Sequence, residues 1–425
     1  MIKNIDNSEL EKRISLNAQR LSNGDYYKID EVFSPSDYDW YGDKEGRALL
    51  AFVSHYEING TKIPCMEQMM TKLPSMLNSE GYFGPVFGGK IHEQQLSGHS
   101  WLLRGLCEYY EQFGGDECLN IITKIAERLY ITKKGIFSSY PVNRHTGEDG
   151  GVSGSVIGTV SNWILSSDIG CAFMSIDGLS HTYKITNDTR IKELIDEMCK
   201  VYLSIDKVKL KAQTHCTLTA ARGMVRMYSL TKDNFYLCGA KGIFRLYEKG
   251  GMTRTYQNLN WWGRPDTWTE PCAVIDSLML ALELYKNTQI EHYREVAARI
   301  YHNGFSTLQR PNGGAGTDTV VLDGVEDTLH AKSYEAYFCC TMRLAEGLRY
   351  IKENAGMLYA TTYGSVTKKD GVYCDGDILY AEVSGGAEKY AQKTVTVDGH
   401  KLCPIVKYYA VDDESAVNSR QKILF

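Results

Sequence analysis

The sequence predicts a mainly α protein, an (α/α)6 barrel followed by a short, sandwich-like β segment at the C-terminus. Two observations carry this. A hairpin pattern recurs at least four times at uneven distances: an apolar helix with an aromatic near its end, a polar turn, then a second helix. After about residue 355 the texture changes to alternating Val, Tyr and Thr between Gly and Asp turns, as in MLYATTYGSVTKKDGVYCDGDILYAEV. Helical hairpins either stack as an open solenoid of fixed period or close into a ring. Uneven spacing with long Gly-rich inserts favours the ring.

Taken in chain order, GRALLAFVSHYEI and CMEQMMTKLPSML supply two early helices. The hairpins begin at Ser100, Met174, Thr219 and Ser277, and AKSYEAYFCCTMRLAEGLRYIKE adds a late helix, bringing the helix count near twelve. In the turns TND and TKD, Asp188 and Asp233 stand where a helix N-cap belongs. Inserts at Gly81 to Gly98, Gly135 to Gly158, Gly250 to Trp268 and Pro311 to Gly324 read as loops that build a site at one mouth of the ring. The expected division is a barrel catalytic domain over 1–355 and a β-rich domain over 356–425. No closing strand is evident by QKILF, so the β domain is expected to be incomplete.

Composition narrows the function classes. The chain has 425 residues, 43% hydrophobic and 23% charged, with a formal charge of −5, so it offers no polycation for nucleic acid or anionic lipid. The first thirty residues contain no apolar run that would serve as an export signal or membrane span, and the expected compartment is the cytoplasm. The twelve cysteines then read as reduced thiols, mostly small core residues. The 29 tyrosines and 6 tryptophans suit stacking on sugar rings and suit core packing equally. The expected partner is a carbohydrate, with no nucleic acid and no membrane, and a homodimer is left open.

Four residues form the central candidate site. In WWGRPDTWTEPCAVIDSLML, Pro271 stands at the first helical position, so Glu270 and Cys272 flank a helix N-terminus whose dipole favours a thiolate. Taken alone, Glu270 as a cap and Cys272 as core is the simpler reading. In AYFCCTMRLAEGLRYI, the apolar face of Leu344, Leu348 and Ile351 places Cys339 and Cys340 near a helix start. Three thiolates and one carboxylate make a tetrahedral zinc set of soft ligands.

Other candidates are weaker. His99, beside Gly98, and His215 are each expected to open a hairpin helix, to contact a sugar hydroxyl or to serve as a cap. The insert ahead of Glu270 supplies Tyr256, Trp262 and Asp266 as candidate substrate contacts, while Asp168 and Glu335 read as caps or solvated turns. No GxGxxG after a strand, GxxxxGK[ST], HExxH, GxSxG or CxxC is present.

The pieces WYGDKEGRALLAF, EGYFGP, HEQQLSGHSWLLRGLCEYYEQFGG, THCTLTAARGMVRMYSLTKD, TEPCAV and YFCCTMRLAEGLRYI, spanning residues 40 to 352, resemble glycoside hydrolase family 127, the β-L-arabinofuranosidases, and its uncharacterised relatives. The Glu-x-Cys followed later by Cys-Cys is the most specific part. The resemblance implies an (α/α)6 barrel with β domains and a retaining hydrolysis. It also implies a zinc held by Glu270, Cys272, Cys339 and Cys340, with Cys339 as nucleophile and His99 as a sugar contact. Where the family has its acid/base glutamate, this sequence has Arg254, and Asp266 is the only other carboxylate between Gly250 and Glu270. Two alternatives follow: a carbohydrate-binding protein with a structural zinc, and a barrel lyase or epimerase that uses Tyr256 and His215.

Overall fold

The computed structural model describes residues 2–34, 40–144, 154–253, 256–264, 267–317, 320–321 and 334–361, together with short strands between 372 and 423. The helices are α1 (Asn7–Asn23), α2 (Ile29–Val32), α3 (Asp43–Asn59), α4 (Cys65–Met76), α5 (Glu93–Phe113), α6 (Asp116–Lys124), α7 (Ser175–Thr186), α8 (Thr189–Ser204), α9 (Thr214–Thr231), α10 (Asn234–Gly250), α11 (Pro271–Thr288), α12 (Glu291–Arg299) and α13 (Cys340–Glu353). The four expected hairpins are α5–α6, α7–α8, α9–α10 and α11–α12. The chain divides into two compact units, residues 21–245 and residues 1–20 with 246–425.

In the unit of residues 21–245, α3 packs on α5, α5 on α7 and α7 on α9. Glycines let these helices approach backbone to backbone. A Cβ on Gly46 would lie 2.1 Å from the Leu102 nitrogen, one on Gly178 2.6 Å from the Ser100 carbonyl oxygen, and one on Gly223 2.6 Å from the Ile176 carbonyl carbon. Side chains of that row are almost wholly buried, and ions inside it are paired: Asp177 meets Arg226 at 2.6 Å and Arg104 at 3.2 Å. A three-stranded sheet joins β2 (Ile91–His92), β4 (Trp163–Ser166) and β3 (Val156–Val160) in that order.

The hairpin turns share one construction, and it accounts for several of the tyrosines. In YKITND, YSLTKD and YKNTQI the residues Asn187, Lys232 and Gln289 are left-handed, with φ of 52°, 59° and 56°. Their amides donate to the carbonyls of Tyr183, Tyr228 and Tyr285 at 2.8, 2.8 and 2.7 Å, closing each helix. In each turn the threonine hydroxyl donates back to the carbonyl four residues earlier and accepts the amide two residues on, at 3.3 Å. The side chains of Asp188 and Asp233 then accept from the amides of Arg190 and Phe235 at 2.9 Å, as expected of caps.

In the unit of residues 1–20 and 246–425, α11 packs on α12 and α13. Gly347 of α13 lets the helix close on its neighbours, since a Cβ there would be 3.1 Å from Ile275 and 3.0 Å from Phe305. Strand β1 (Ile2–Lys3) pairs antiparallel with β6 (Ala360–Thr361), β5 (Val320–Val321) with β11 (Val406–Lys407), β7 (Val372–Asp375) with β8 (Ile378–Glu382) and β9 (Val395–Val397) with β10 (His400–Leu402). The last strand, β12 (Arg420–Ile423), pairs along the other edge of β8.

Four elements differ from the sequence reading, the first being β12, a strand at the QKILF end where none was evident. Helix α1 is present in the polar N-terminal stretch, where Leu10, Ile14 and Leu21 form a buried stripe at helical spacing. The end of the Gly135 to Gly158 insert opens the β3–β4 hairpin, Val156 to Ser166, which was not expected. Helix α5 starts at Glu93, with His92 accepting the Gln95 amide at 3.4 Å, so His99 lies in its second turn and does not open the helix.

Candidate metal centre

Two helix starts bring the thiols together. Pro271 begins α11 with its φ already suited to a helix, and the Glu270 carbonyl accepts the Ala273 amide at 3.0 Å, which places Cys272 in the first turn. The Glu270 side chain makes no capping bond to that helix. Cys339 is the N-cap of α13 and Cys340 its first residue. The Cys272 and Cys340 sulfurs are 3.2 Å apart, those of Cys339 and Cys340 3.3 Å, and all three lie within 4.8 Å of one another. A Glu270 carboxylate oxygen also lies within 4.8 Å of the Cys272 sulfur.

These spacings have a chemical meaning. A disulfide needs about 2.05 Å, whereas sulfurs bound tetrahedrally to zinc at about 2.3 Å stand about 3.8 Å apart. The observed cluster lies between the two and closer to the second. Burial, and then the neighbouring Cys272 and Cys339 sulfurs, push the Cys340 thiol well above its ordinary range. Ionising all three sulfurs would therefore call for a cation between them, since the two helix N-termini supply only part of that positive charge. Cys272 and Cys340 are buried, and Cys339 is half-exposed. The three sulfurs, all within 4.8 Å of one another, could hold a metal ion, and soft thiolate ligands fit zinc.

The segment leading into α13 is held from several sides within the same unit. Glu335 accepts from Arg20 at 2.8 and 3.2 Å, from Asn312 at 2.7 Å and from the Thr341 hydroxyl at 3.2 Å. Asn17 of α1 donates to the Gly313 and Thr341 carbonyls at 3.0 and 3.1 Å. Gly313 is required here, since a Cβ would lie 2.1 Å from the Leu16 carbonyl. The reading of Glu335 as a solvated turn is corrected: its side chain is a hydrogen-bonded hub, only 13% exposed.

His99 is fully buried. Its Nε2 accepts the Phe83 amide at 2.9 Å and its Nδ1 faces the Gln95 carbonyl at 2.8 Å, so the ring is neutral with the proton on Nδ1. Burial pushes its pKa down to about 4. A sugar contact from His99 therefore requires one of these bonds to be given up. His215 lies in the first turn of α9, buried and stacked on Trp101 at 5.8 Å. The Trp101 ring in turn lies 4.1 Å from the Arg47 guanidinium. Trp262 is fully buried, edge-on to Tyr247 and packed against Gly251. Stacking of Trp262 on a sugar requires that packing to open. Tyr256 is half-exposed with φ of 59°, and its carbonyl packs against Gly304. Asp266 and Arg254 lie outside the described residues.

One group was missed in the sequence. Asp276, Arg343 and Glu346 have fully buried side chains. Arg343 donates to Asp276 at 2.5 Å and also pairs with Glu346, tying α11 to α13. The signal available was a lone carboxylate inside the apolar run AVIDSLMLAL.

Neither a protein-family model nor a curated protein matches this sequence. Solved structures do. A GH127 β-arabinofuranosidase is 13% identical over 96% of this chain and 78% of its own, with a TM-score of 0.54. A GH127 β-L-arabinofuranosidase from Geobacillus stearothermophilus T6 is 12% identical over 96% of this chain and 80% of its own, at 0.55. A sugar epimerase from a ruminal bacterium is 12% identical over 82% of this chain and 98% of its own, at 0.56. The fold is that of the (α/α)6 barrels, as the hairpins predict, and the resemblance to GH127 proteins holds at the level of fold. Among the described residues, no helix is long and apolar enough to cross a membrane.

Proposed function

We propose that this chain is a retaining glycosidase with a cysteine nucleophile, acting on an arabinofuranoside or a related plant-type oligosaccharide. The thiol cluster is the observation that carries the reading: Cys272, Cys339 and Cys340 converge from two helix starts, and Cys339 is the member that reaches solvent. The fold shared with GH127 β-arabinofuranosidases supports it.

In this reading Glu270, Cys272, Cys339 and Cys340 hold zinc, which when bound keeps the sulfurs as thiolates at neutral pH. Buried Cys272 and Cys340 serve as ligands alone, while half-exposed Cys339 attacks the anomeric carbon. The carbon–oxygen bond to the leaving group breaks as the sulfur–carbon bond forms, and a general acid protonates the departing oxygen. Water then displaces the Cys339 sulfur with the same acid, now a base, accepting its proton. The fixed start of α13 keeps the Cys339 sulfur aimed through both steps.

A second reading, a carbohydrate-binding protein with a structural zinc, is favoured by Arg254 standing where the family has its acid/base glutamate. Bound zinc and hydrolysis of a panel of aryl glycosides, measured for the parent and Cys339→Ser, separate the two. The glycosidase reading expects about one zinc per chain and hydrolysis that Cys339→Ser abolishes. Zinc without turnover supports the binding protein. Absence of zinc, or activity that survives the substitution, removes the cysteine mechanism.

A further inference from the structure

We propose that Asp276, Arg343 and Glu346 are positioning residues that set the spacing of Cys272 and Cys340. The proposal rests on the reading of the thiol cluster as the reactive centre, and it reaches residues to which that reading gives no role.

The argument is geometric. Asp276 lies four residues after Cys272 on α11, and Arg343 lies three residues after Cys340 on α13. Each is therefore about one helical turn from its cysteine and on the same face. Arg343 bridges the two helices through its 2.5 Å bond to Asp276, and Glu346, one turn further along α13, holds the guanidinium from the other side. All three side chains are fully buried. Rotation or sliding of one helix against the other would strip partners from buried charges, which is far costlier than shifting an apolar contact. Gly347 adds to the fit, because a Cβ there would lie 3.0 Å from Phe305 and 3.1 Å from Ile275, tight enough that those side chains would have to give way. The ion cluster fixes register, Gly347 permits the close packing, and the 3.2 Å separation of the Cys272 and Cys340 sulfurs one turn away is the outcome.

An apolar interface of the same volume would hold the helices together equally well. A buried guanidinium between two carboxylates adds direction: its planar fork accepts few orientations, so it specifies one relative rotation of α11 and α13. That is the property a discontinuous ligand set needs, because its members come from sequence positions 68 residues apart and share no loop.

The test uses full-length protein stripped of metal. Diamide oxidises the Cys272–Cys340 pair to a disulfide, the two thiols giving up two electrons and two protons and diamide being reduced to the hydrazine; peptide mapping follows the rate. Asp276→Asn is expected to slow this bond at least about tenfold while the protein stays folded by circular dichroism, and to weaken zinc binding by a similar factor. Glu346→Gln, which leaves Arg343 paired with Asp276, is expected to give a smaller loss in the same direction. It also provides the reading if Asp276→Asn does not fold. The cobalt-substituted protein adds a signature that loss of stability alone does not move: the thiolate-to-cobalt absorption bands should shift in both variants. Oxidation at the parental rate with superimposable cobalt spectra, in a folded variant, overturns the proposal. If the parent binds neither zinc nor cobalt, yet the variants still cross-link more slowly, the positioning role stands and the zinc reading fails.

Discussion

His99, in the unit of residues 21–245, and Cys272, in the unit of residues 1–20 and 246–425, both stand near the start of a long buried helix, and they differ in what faces their reactive atoms. Around His99 the backbone has taken both ring nitrogens, through the Phe83 amide and the Gln95 carbonyl. Around Cys272 the neighbours are other sulfurs at 3.2 Å and beyond, which repel one another as thiolates. The first arrangement is complete as it stands and resists change. The second is complete only as neutral thiols sharing S–H···S contacts, and its ionised form calls for a cation. A polar residue in a buried helix start is thus no guide to function until the groups that meet it are known.

The largest expected effect tests the sulfur side of this contrast. Cys339→Ser should lower kcat on aryl glycosides by about a thousandfold or more, with little change in melting temperature, because it removes the half-exposed nucleophile and leaves the core intact. Undiminished turnover would reduce the cluster to packing.

The next tests the histidine side through pH. The folded pKa of His99, about 4, lies below the ordinary 6.5, so its contribution is fully present above pH 6.5 and is lost as pH falls towards 4. The difference corresponds to about 3 kcal/mol. His99→Gln, which retains a donor and an acceptor, should flatten the loss of stability between those pH values in urea titrations. An unchanged slope would show that the ring is not held neutral.

Third, Cys272→Ser and Cys340→Ser should each weaken zinc binding about a hundredfold, roughly 2.7 kcal/mol, in competition with a chromophoric chelator. His99→Gln should leave zinc affinity within twofold on the order expected for a residue outside the ligand set. Equal effects from the histidine and the cysteines would erase the distinction.

The smallest effect concerns what the two units share. Thr231→Val and Thr288→Val each remove a turn hydroxyl that makes two hydrogen bonds, and each should cost about 1 kcal/mol in chemical denaturation. Markedly unequal costs would mean that the two turns, alike in geometry, bear different loads.

The hairpins were readable because their determinants are local. An apolar stripe, a tyrosine one turn from the end, a threonine and an Asp cap act within about ten residues of each other, so YKITND and YSLTKD announce their turns without help from the rest of the chain. The start of α11 was equally plain from Pro271, and the vicinal Cys339 and Cys340 marked the start of α13. Helix α1 was legible from Leu10, Ile14 and Leu21 but was masked by its polar surroundings.

Other features waited for the tertiary structure. Nothing local to Trp262 says that Tyr247 and Gly251 bury it, and nothing local to His99 says that an amide sixteen residues earlier in the chain occupies its Nε2. The residue chemistry of Glu270, Cys272, Cys339 and Cys340 was enough to nominate a zinc set. The meeting of the three sulfurs depends on how α13 docks on α11, across an interface that holds Gly347 and the buried charges of Asp276, Arg343 and Glu346. Sequence nominated the side chains of the candidate site and announced the hairpin turns and the start of α11, because backbone capping and apolar periodicity are short-range. Packing alone decided which of those side chains face one another and which are consumed by the core, because a contact across 68 residues has its energy only once both helices are in place.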